Sequence, residues 1–181
     1  MEPLKQNIDL LIEACKNKDQ KAQMEIYHLY HKTVYHAAYR ISKNREDAMD
    51  SMQEAFITAF EKLDQYEGKG SFEGWLSKIA IRNSLQHYHN KKRFFLNDRM
   101  EEQLKEETEE YFEEESLQTI TTHQLDTALN QLNDRYQVIL KLYYLEGYDY
   151  EEISRLLNWT PSNCRTTLSR ARKQLKKFLN A

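Results

Sequence analysis

The sequence predicts an all-α protein of two helical domains. Its 181 residues include only four glycines and two prolines, far below the average usage of about 7% and 5%. Because β-sandwiches and barrels place these residues in frequent turns, the shortage favours long helices joined by few loops. Apolar residues recur at helical spacing in both halves of the chain, and a strongly acidic stretch separates the halves.

The charged residues are unevenly distributed along the chain. Residues 1–93 hold 15 basic and 13 acidic residues, residues 94–124 hold two and ten, and residues 125–181 hold nine and six. Segment 94–124 lacks sustained apolar periodicity and is predicted to be an acidic linker between domains at 1–93 and 125–181. The formal charge of −3 therefore conceals two mildly basic domains, which is compatible with a nucleic-acid partner.

The composition also indicates a cytoplasmic protein. The two cysteines, Cys15 and Cys164, form neither a C-x-x-C motif nor a disulfide framework. The N-terminus lacks the basic region of a signal peptide, and no apolar run is long enough to span a bilayer.

Four helices are predicted in the first domain. The third starts near Glu46 and is expected to carry an apolar stripe of Met49, Met52, Phe56, Ile57, Phe60 and Leu63. Two of the four glycines follow in the stretch from Asp64 to Ser71. Ser71 is suited to cap the fourth helix, which ends in a basic run at residues 91–93.

The second domain shows clear helix start and stop signals. An apolar pattern from Leu125 to Tyr143 stops at Gly147. Asp149 and Glu152 have the spacing of a capping box, and Thr160 before a proline predicts the start of the last helix. That helix is expected to bury a face of Cys164, Leu168, Ala171, Leu175 and Phe178.

Two short helices, a tight turn and a basic helix are typical of a helix-turn-helix motif. Ser154 and Asn158 have the spacing of the small residue and the turn residue, and no acid occurs from Ile153 to Ala181. The alternative is a solvated basic surface helix. Side chains able to reach bases and phosphates are predicted on the last helix, namely Ser162, Asn163, Arg165, Thr166, Thr167, Ser169, Arg170 and Lys173.

The stretch from Leu129 to Leu175, with its core Gly147–Ser154 and the triplet Arg170-Ala171-Arg172, resembles region 4 of bacterial sigma factors. The resemblance is to the extracytoplasmic-function type, group 4 of the sigma-70 family. It implies that the last helix reads the −35 promoter element. The usual Pro, Gly and Thr of the family are replaced here by Asn133, Asn158 and Asn163.

The stretch from Leu29 to Phe60, with its Asp-x-x-Gln-Glu-x-Phe core, resembles regions 2.1 and 2.2 of the same family. On a helix its polar side chains form a band beside a buried stripe, which suits either a basic helical partner or solvent. The resemblance implies docking on the β′ clamp helices of RNA polymerase through Asp50, Gln53, Glu54, Phe56 and Glu61.

The stretch from Phe72 to Ala80 is similar to region 2.3, and the helix after it to region 2.4. Aromatic and cationic side chains suit separated DNA strands, although we interpret Phe72, Trp75 and Ile79 as core. The loop at 68–71 is expected to hold a base of the −10 element. The candidate −10 residues are Tyr66, Lys69, Ser71, Lys78, Arg82, Asn83, His87, Lys91, Lys92 and Arg93.

The resemblance implies a sigma factor that recruits core polymerase, melts the −10 element and reads the −35 element, without catalysis, cofactor, metal or small-molecule substrate. Its partners would be the β′ clamp helices, the β flap, promoter DNA and an anti-sigma factor, a class that is often membrane-anchored. The linker either threads basic channels of the polymerase or serves as a solubilising tether.

Two other functions compete with this interpretation. A stand-alone helix-turn-helix regulator would use its N-terminal half for sensing or dimerisation and bind duplex DNA without polymerase. A helical metal enzyme would need ligands beyond His28, His31 and His36, and no cysteine or acid completes such a set. Nucleotide-binding and hydrolase motifs do not occur in the sequence.

Overall fold

The computed structural model describes residues 2–92 and 120–180, with the side chains of residues 7–87 and 120–180. No strand occurs among these residues, and the predicted all-α class is confirmed. The chain divides into two compact units, Met1–Lys91 and Lys92–Ala181. The helices are α1 (Glu2–Lys16), α2 (Gln20–Ser42), α3 (Arg45–Glu61), α4 (Phe72–Lys92), α5 (Thr122–Gln131), α6 (Asp134–Leu140), α7 (Tyr150–Leu157) and α8 (Pro161–Leu179).

The first unit packs α1 to α4 around one apolar core. Asp19 caps α2 and Asn44 caps α3, each through a side-chain oxygen that accepts two backbone N–H bonds. These caps satisfy N–H groups that a helix start otherwise leaves without a partner. The core is filled by fully buried side chains from all four helices and the turn after α3, including Cys15, Ile26, Val34, Met52, Leu63 and Leu76.

The second unit begins earlier than the sequence pattern indicated. Thr121 and Gln124 form a capping box, so α5 starts at Thr122 rather than near Leu125. The apolar run is broken where Asn133 caps α6 by accepting a bond from the backbone N–H of Tyr136 at 2.8 Å. The break lets α5 and α6 both pack against α8.

Helix α6 continues into a π-helical turn, Lys141–Leu145. The chain then reverses at Gly147, whose φ of 69° favours glycine. The predicted stop at Gly147 is thereby confirmed. Helices α7 and α8 contribute Ile153, Leu157 and Leu168 to the core of the second unit, and all three are fully buried.

The greater part of the predicted linker, residues 94–119, lies outside the described residues, as does Arg93. The boundaries of the predicted linker therefore stay a prediction. Within the described part of the chain, no helix is both long enough and apolar enough to cross a membrane.

Candidate nucleic-acid and protein interfaces

The turn between α7 and α8 is fixed by bonds among its own residues. Asn158 adopts the left-handed conformation with φ 55°, which asparagine tolerates better than most residues. Its N–H bonds the carbonyl of Ser154, and the Ser154 hydroxyl donates to the carbonyl of Trp159. The small residue and the turn residue predicted from the sequence are thus the two that shape this turn.

The predicted caps are present at the starts of α7 and α8. The Asp149 carboxylate accepts from the Glu152 N–H at 2.7 Å, and the Glu152 carboxylate accepts from the Asp149 N–H at 3.0 Å. The Thr160 hydroxyl accepts from the Asn163 N–H at 3.1 Å, ahead of Pro161 at the first helical position. Each cap satisfies a backbone N–H group in the first turn of its own helix.

Helix α8 presents a polar, cationic surface on the side opposite its core face. Cys164, Leu168 and Ala171 are buried. Arg170 is partly exposed. The predicted −35 residues whose side chains are exposed are Ser162, Arg165, Thr166, Ser169 and Lys173. No acid follows Glu152 in the chain, so the charged side chains that α8 itself contributes to this surface are all positive.

The prediction that Thr167 points away from the apolar stripe is wrong. Its side chain is 5% exposed, because position 167 lies three residues after Cys164 and four before Ala171, on the buried side of the helix. Its hydroxyl donates to Asn163 Oδ1 at 3.0 Å. Thr167 therefore supports the surface of α8 and does not form part of it.

Asn163 is held by a residue that the sequence reasoning missed. Arg135 of α6 donates from a terminal guanidinium nitrogen to Asn163 Oδ1 at 2.9 Å. The same guanidinium lies over the indole of Trp159, with its carbon 4.3 Å from the ring centroid. The two partners are 28 residues apart, so no local pattern could have indicated this contact.

In the first unit, α3 exposes the predicted polar band. Asp50, Gln53, Glu54 and Glu61 are all exposed. Phe56 is 4% exposed and packs against the rings of Tyr27 and Phe60, whose centroids lie 4.9 Å and 6.1 Å away. The predicted polymerase contact through Phe56 is therefore corrected: its side chain lies beneath the surface and supports it.

Two residues assigned to the apolar stripe of α3 are exposed instead, Met49 at 45% and Ile57 at 61%. Ile57 lies four residues after Gln53 and three after Glu54, so it sits in the middle of the polar band. A signal for this was present in the sequence, since residue 57 follows Asp50 by seven positions and shares its face. We call Asp50, Gln53, Glu54, Ile57 and Glu61 the α3 surface.

Two predicted −10 residues of α4 are bound to α3. His87 Nε2 lies 3.0 Å from Glu54 Oε2, in a hydrogen bond that His87 donates. Asn83 Nδ2 donates to the backbone carbonyl of Ser51 at 3.5 Å. Lys78 and Arg82 on the same helix are exposed. The side chains of Lys91 and Lys92 lie outside those described.

The glycine-rich loop before α4 is closed by aromatic packing. The Tyr66 hydroxyl donates to the Gly70 carbonyl at 2.9 Å, and its ring packs against Phe72 and Trp75 at 5.3 Å and 5.4 Å between centroids. Burial, and then the charge of Asp9, raise the pKa of Tyr66. The phenol therefore stays neutral and donates at ordinary pH.

The core interpretation of the nearby aromatics is confirmed for Phe72, which is 3% exposed. Trp75 and Ile79 are half-buried and pack against the same core. The Ser71 hydroxyl accepts from the Gly74 N–H at 3.1 Å and caps α4 as predicted. Lys69 is exposed and pairs with Glu67 in the loop.

Of the histidines of α2, His28 and His31 contact each other and Tyr27, whereas His36 packs against Tyr35. His31 Nδ1 lies 3.2 Å from the carbonyls of Tyr27 and His28, and its ring stacks on that of Tyr27 at 5.3 Å. Across residues 2–92 and 120–180, no three His, Cys, Asp or Glu side chains are grouped to hold a metal ion.

Comparison with known families gives two matches that correspond to the two units. The family model "Sigma-70 region 2" matches residues 26–94, and the model "Sigma-70, region 4" matches residues 122–175. Together they cover both candidate interfaces, the α3 and α4 surfaces in the first unit and α8 in the second.

Curated relatives align along most of the chain. RNA polymerase sigma factor YlaC of Bacillus subtilis is 30% identical over 154 residues, which cover 84% of this chain and 89% of that protein. ECF RNA polymerase sigma factor SigM of the same organism is 29% identical over 158 residues, covering 86% of this chain and 94% of that protein.

Solved structures share the fold at low sequence identity. The sigma factor RpoE of Bartonella quintana, solved with the anti-sigma factor NepR, gives a TM-score of 0.54 at 18% identity and covers 87% of this chain and 96% of that one. CnrH, solved with the cytosolic domain of CnrY, gives a TM-score of 0.52 at 17% identity, covering 94% and 96%.

Proposed function

We infer that the chain, which belongs to the sigma-70 family of RNA polymerase sigma factors, acts as an extracytoplasmic-function sigma factor. It recruits core polymerase to specific promoters, melts the −10 element and reads the −35 element. The observation that carries this function is the surface of α8: a cationic, acid-free helix face held at a fixed angle by a capped turn, in one chain with a region 2 match.

For the −35 element, we propose that duplex DNA binds the exposed residues of α8. Arg165 offers a cation that reaches a phosphate or a guanine edge, and Ser162, Thr166 and Ser169 offer hydroxyls. The chain segment around them carries no carboxylate that would repel the DNA backbone.

For polymerase docking, we propose the α3 surface as the contact with the β′ clamp helices. Three carboxylates and one amide surround the exposed Ile57. Such a surface suits a basic helical partner that also offers an apolar side chain, since a desolvated apolar contact contributes most of the affinity at an interface centre. The β flap is the proposed partner of the second unit.

For the −10 element, we propose that the opened strand lies along the loop at 68–71 and the exposed face of α4. Lys69, Lys78 and Arg82 would neutralise its phosphates, and the half-buried rings of Tyr66 and Trp75 would offer surfaces on which bases stack. Gly68 and Gly70 have φ values of 71° and 100°, which favour glycine, and no atom lies within 4 Å of where a Cβ would stand at either residue, so there is space beside the loop for a base.

The remaining assignments follow from the family. The protein acts with RNA polymerase in the cytoplasm and does no chemistry of its own. RpoE was solved with the anti-sigma factor NepR, and CnrH with the cytosolic domain of CnrY; an anti-sigma factor is the proposed regulator here. Residues 94–124 are the proposed linker between domains at 1–93 and 125–181.

The decisive experiment is run-off transcription with purified core polymerase. Promoter fragments enriched by the reconstituted holoenzyme serve as templates, with and without the protein. We expect specific starts only when the protein is present. If it binds duplex DNA but gives no promoter-specific start, it is a stand-alone helix-turn-helix regulator and the sigma-factor function is wrong.

A second experiment tests the α3 surface. Ile57→Asp and the pair Gln53→Ala with Glu54→Ala should each weaken core polymerase binding by about tenfold or more, without loss of helicity by circular dichroism. Met24→Asp is the matched control, because Met24 is an exposed apolar residue of α2 in the same unit. Equal affinities for Ile57→Asp and Met24→Asp would place docking elsewhere.

A further inference from the structure

The side chain of Asn163 occupies a three-residue network at the start of α8. Its Oδ1 accepts from the guanidinium of Arg135 at 2.9 Å and from the hydroxyl of Thr167 at 3.0 Å. Arg135 in turn is stacked over Trp159 at 4.3 Å. The Asn163 amide is thereby held from two sides, by α6 and by its own helix.

The chemistry of the partners fixes which way the amide points. Arginine has only donors, so the Asn163 atom that meets it must be the carbonyl oxygen. That oxygen has two lone pairs, and Arg135 and Thr167 occupy both. The amide nitrogen, with its two N–H groups, is the part of Asn163 left to meet an external partner.

The position of Asn163 places its side chain at the edge of the proposed DNA surface. Its side chain is partly exposed, directly after the exposed Ser162. Thr166 and Arg170 follow it by three and seven residues, so the three share one side of α8. The N-terminal turns of a recognition helix are those that contact base edges.

We propose that Asn163 is a donor-only contact to the −35 element, and that Arg135 is the positioning residue that makes it so. The proposal rests on the proposed function of α8. The ligand is a hydrogen-bond acceptor on duplex DNA: a phosphate oxygen, or a major-groove acceptor such as N7 of a purine, O6 of guanine or O4 of thymine. Bidentate reading of adenine, which requires the amide oxygen as well, is excluded.

The key variant is Asn163→Asp, which keeps an oxygen for Arg135 and Thr167 but removes the N–H groups and adds a negative charge. The full chain is assembled with core polymerase, and the probe is promoter duplex enriched by the wild-type holoenzyme from randomised DNA. We expect affinity to fall by about tenfold or more, with no loss of thermal stability. Unchanged affinity would overturn the proposal.

Asn133→Asp is the matched control for the added charge. Asn133 is also an asparagine of this unit whose Oδ1 accepts a bond, from the Tyr136 N–H, and aspartate can accept the same bond. We expect its affinity to stay within about twofold of wild type. A fall equal to that of Asn163→Asp would show a general charge effect and overturn the proposal.

The role of Arg135 is tested by a double-mutant cycle with Arg135→Met, which retains an apolar side chain for the indole of Trp159. The variant should weaken binding severalfold in the wild-type background and not further in the Asn163→Ala background. The slope of log affinity against log salt should stay constant. A decrease of about one in this slope would make Arg135 a phosphate contact and overturn its positioning role.

Two arms identify the acceptor. A loss of affinity in Asn163→Asp that is equal across duplexes of different sequence indicates a phosphate acceptor. A loss of affinity that disappears when one base pair is changed indicates a base edge. Both outcomes support the proposal. Arg165→Ala separates this proposal from the proposed function. If Arg165→Ala weakens binding and Asn163→Asp does not, only the present proposal fails, and if neither weakens it, α8 is not the DNA surface.

Discussion

Glu54 of α3 accepts a hydrogen bond from His87 of α4, with 3.0 Å between Oε2 and Nε2. Glu54 belongs to the proposed polymerase-docking surface and His87 to the predicted −10 residues. The two surfaces of the first unit therefore meet at this pair. A partner that binds the Glu54 carboxylate competes directly with His87 for it.

His87→Ala should lower the free energy of unfolding by less than about 1 kcal/mol, because Glu54 is exposed and solvent screens the pair. Glu54→Ala should lower the free energy of unfolding by a similar amount, and the double variant should lower it no more than either single variant does. Urea denaturation of the four proteins measures this. A coupling energy of several kcal/mol would mean that the pair is far more shielded than its exposure indicates.

Arg165→Ala should lower the slope of log affinity against log salt by about one if Arg165 meets a phosphate. Thr167→Ala should leave that slope unchanged and instead lower the unfolding free energy by about 1 kcal/mol through its lost bond to Asn163. Salt titrations of holoenzyme binding and thermal melts check the two outcomes. A slope change in Thr167→Ala would contradict its burial.

Asn158→Gly should retain or slightly raise stability, and Asn158→Val should lower it by about 1 kcal/mol or more. The reason is the left-handed backbone at this position, with φ 55°, which a β-branched residue adopts only under strain. Urea denaturation of both variants against the parent protein provides the measurement. Equal stabilities would show that the turn relaxes on substitution.

Stability should fall at alkaline pH through Cys15. Burial, and then the charge of Asp19, raise the pKa of its thiol from 9.0 to about 11. The neutral thiol is therefore favoured in the folded chain, and the stability it contributes is complete below pH 9.0 and is lost as the pH rises towards 11.

The comparison of the parent protein with Cys15→Ala isolates this effect. The unfolding free energy of the parent should decline more steeply over that range than that of the variant, in a series of urea denaturations. Burial also raises the pKa of the Cys164 thiol, so Cys164→Ala should reduce the alkaline decline as well and tests the same effect in the second unit. Parallel curves for the parent and Cys15→Ala would show that the thiol does not titrate with the fold.

Features that depend on near neighbours in the sequence could be predicted. The capping box of Asp149 and Glu152, the Thr160 cap and the stop at Gly147 are each decided within a few residues, and all three are confirmed. The resemblance to the sigma-70 regions extends over motifs of the same local kind. The caps of α2 and α3 could have been found in the same way.

The burial of single side chains was predicted less well, and contacts between helices could not be predicted. Apolar periodicity alone assigned Ile57 to the core, because a stripe read from sequence is wider than the face its neighbours cover. Thr167 was predicted on the outer face because it is polar, although its spacing from Cys164 and Ala171 places it on the buried side. The bond from Arg135 to Asn163 joins two helices, and the local sequence pattern of neither helix indicates it.

The capping box at the start of α5 has a consequence for how such chains are assembled. Thr121 and Gln124 satisfy each other's backbone N–H groups, so the first turn of α5 takes its capping bonds from its own residues. A junction placed just before Ile120 leaves that turn complete. It is therefore a natural splice point for chimaeras in which the −35 preference of one sigma factor is exchanged for that of another.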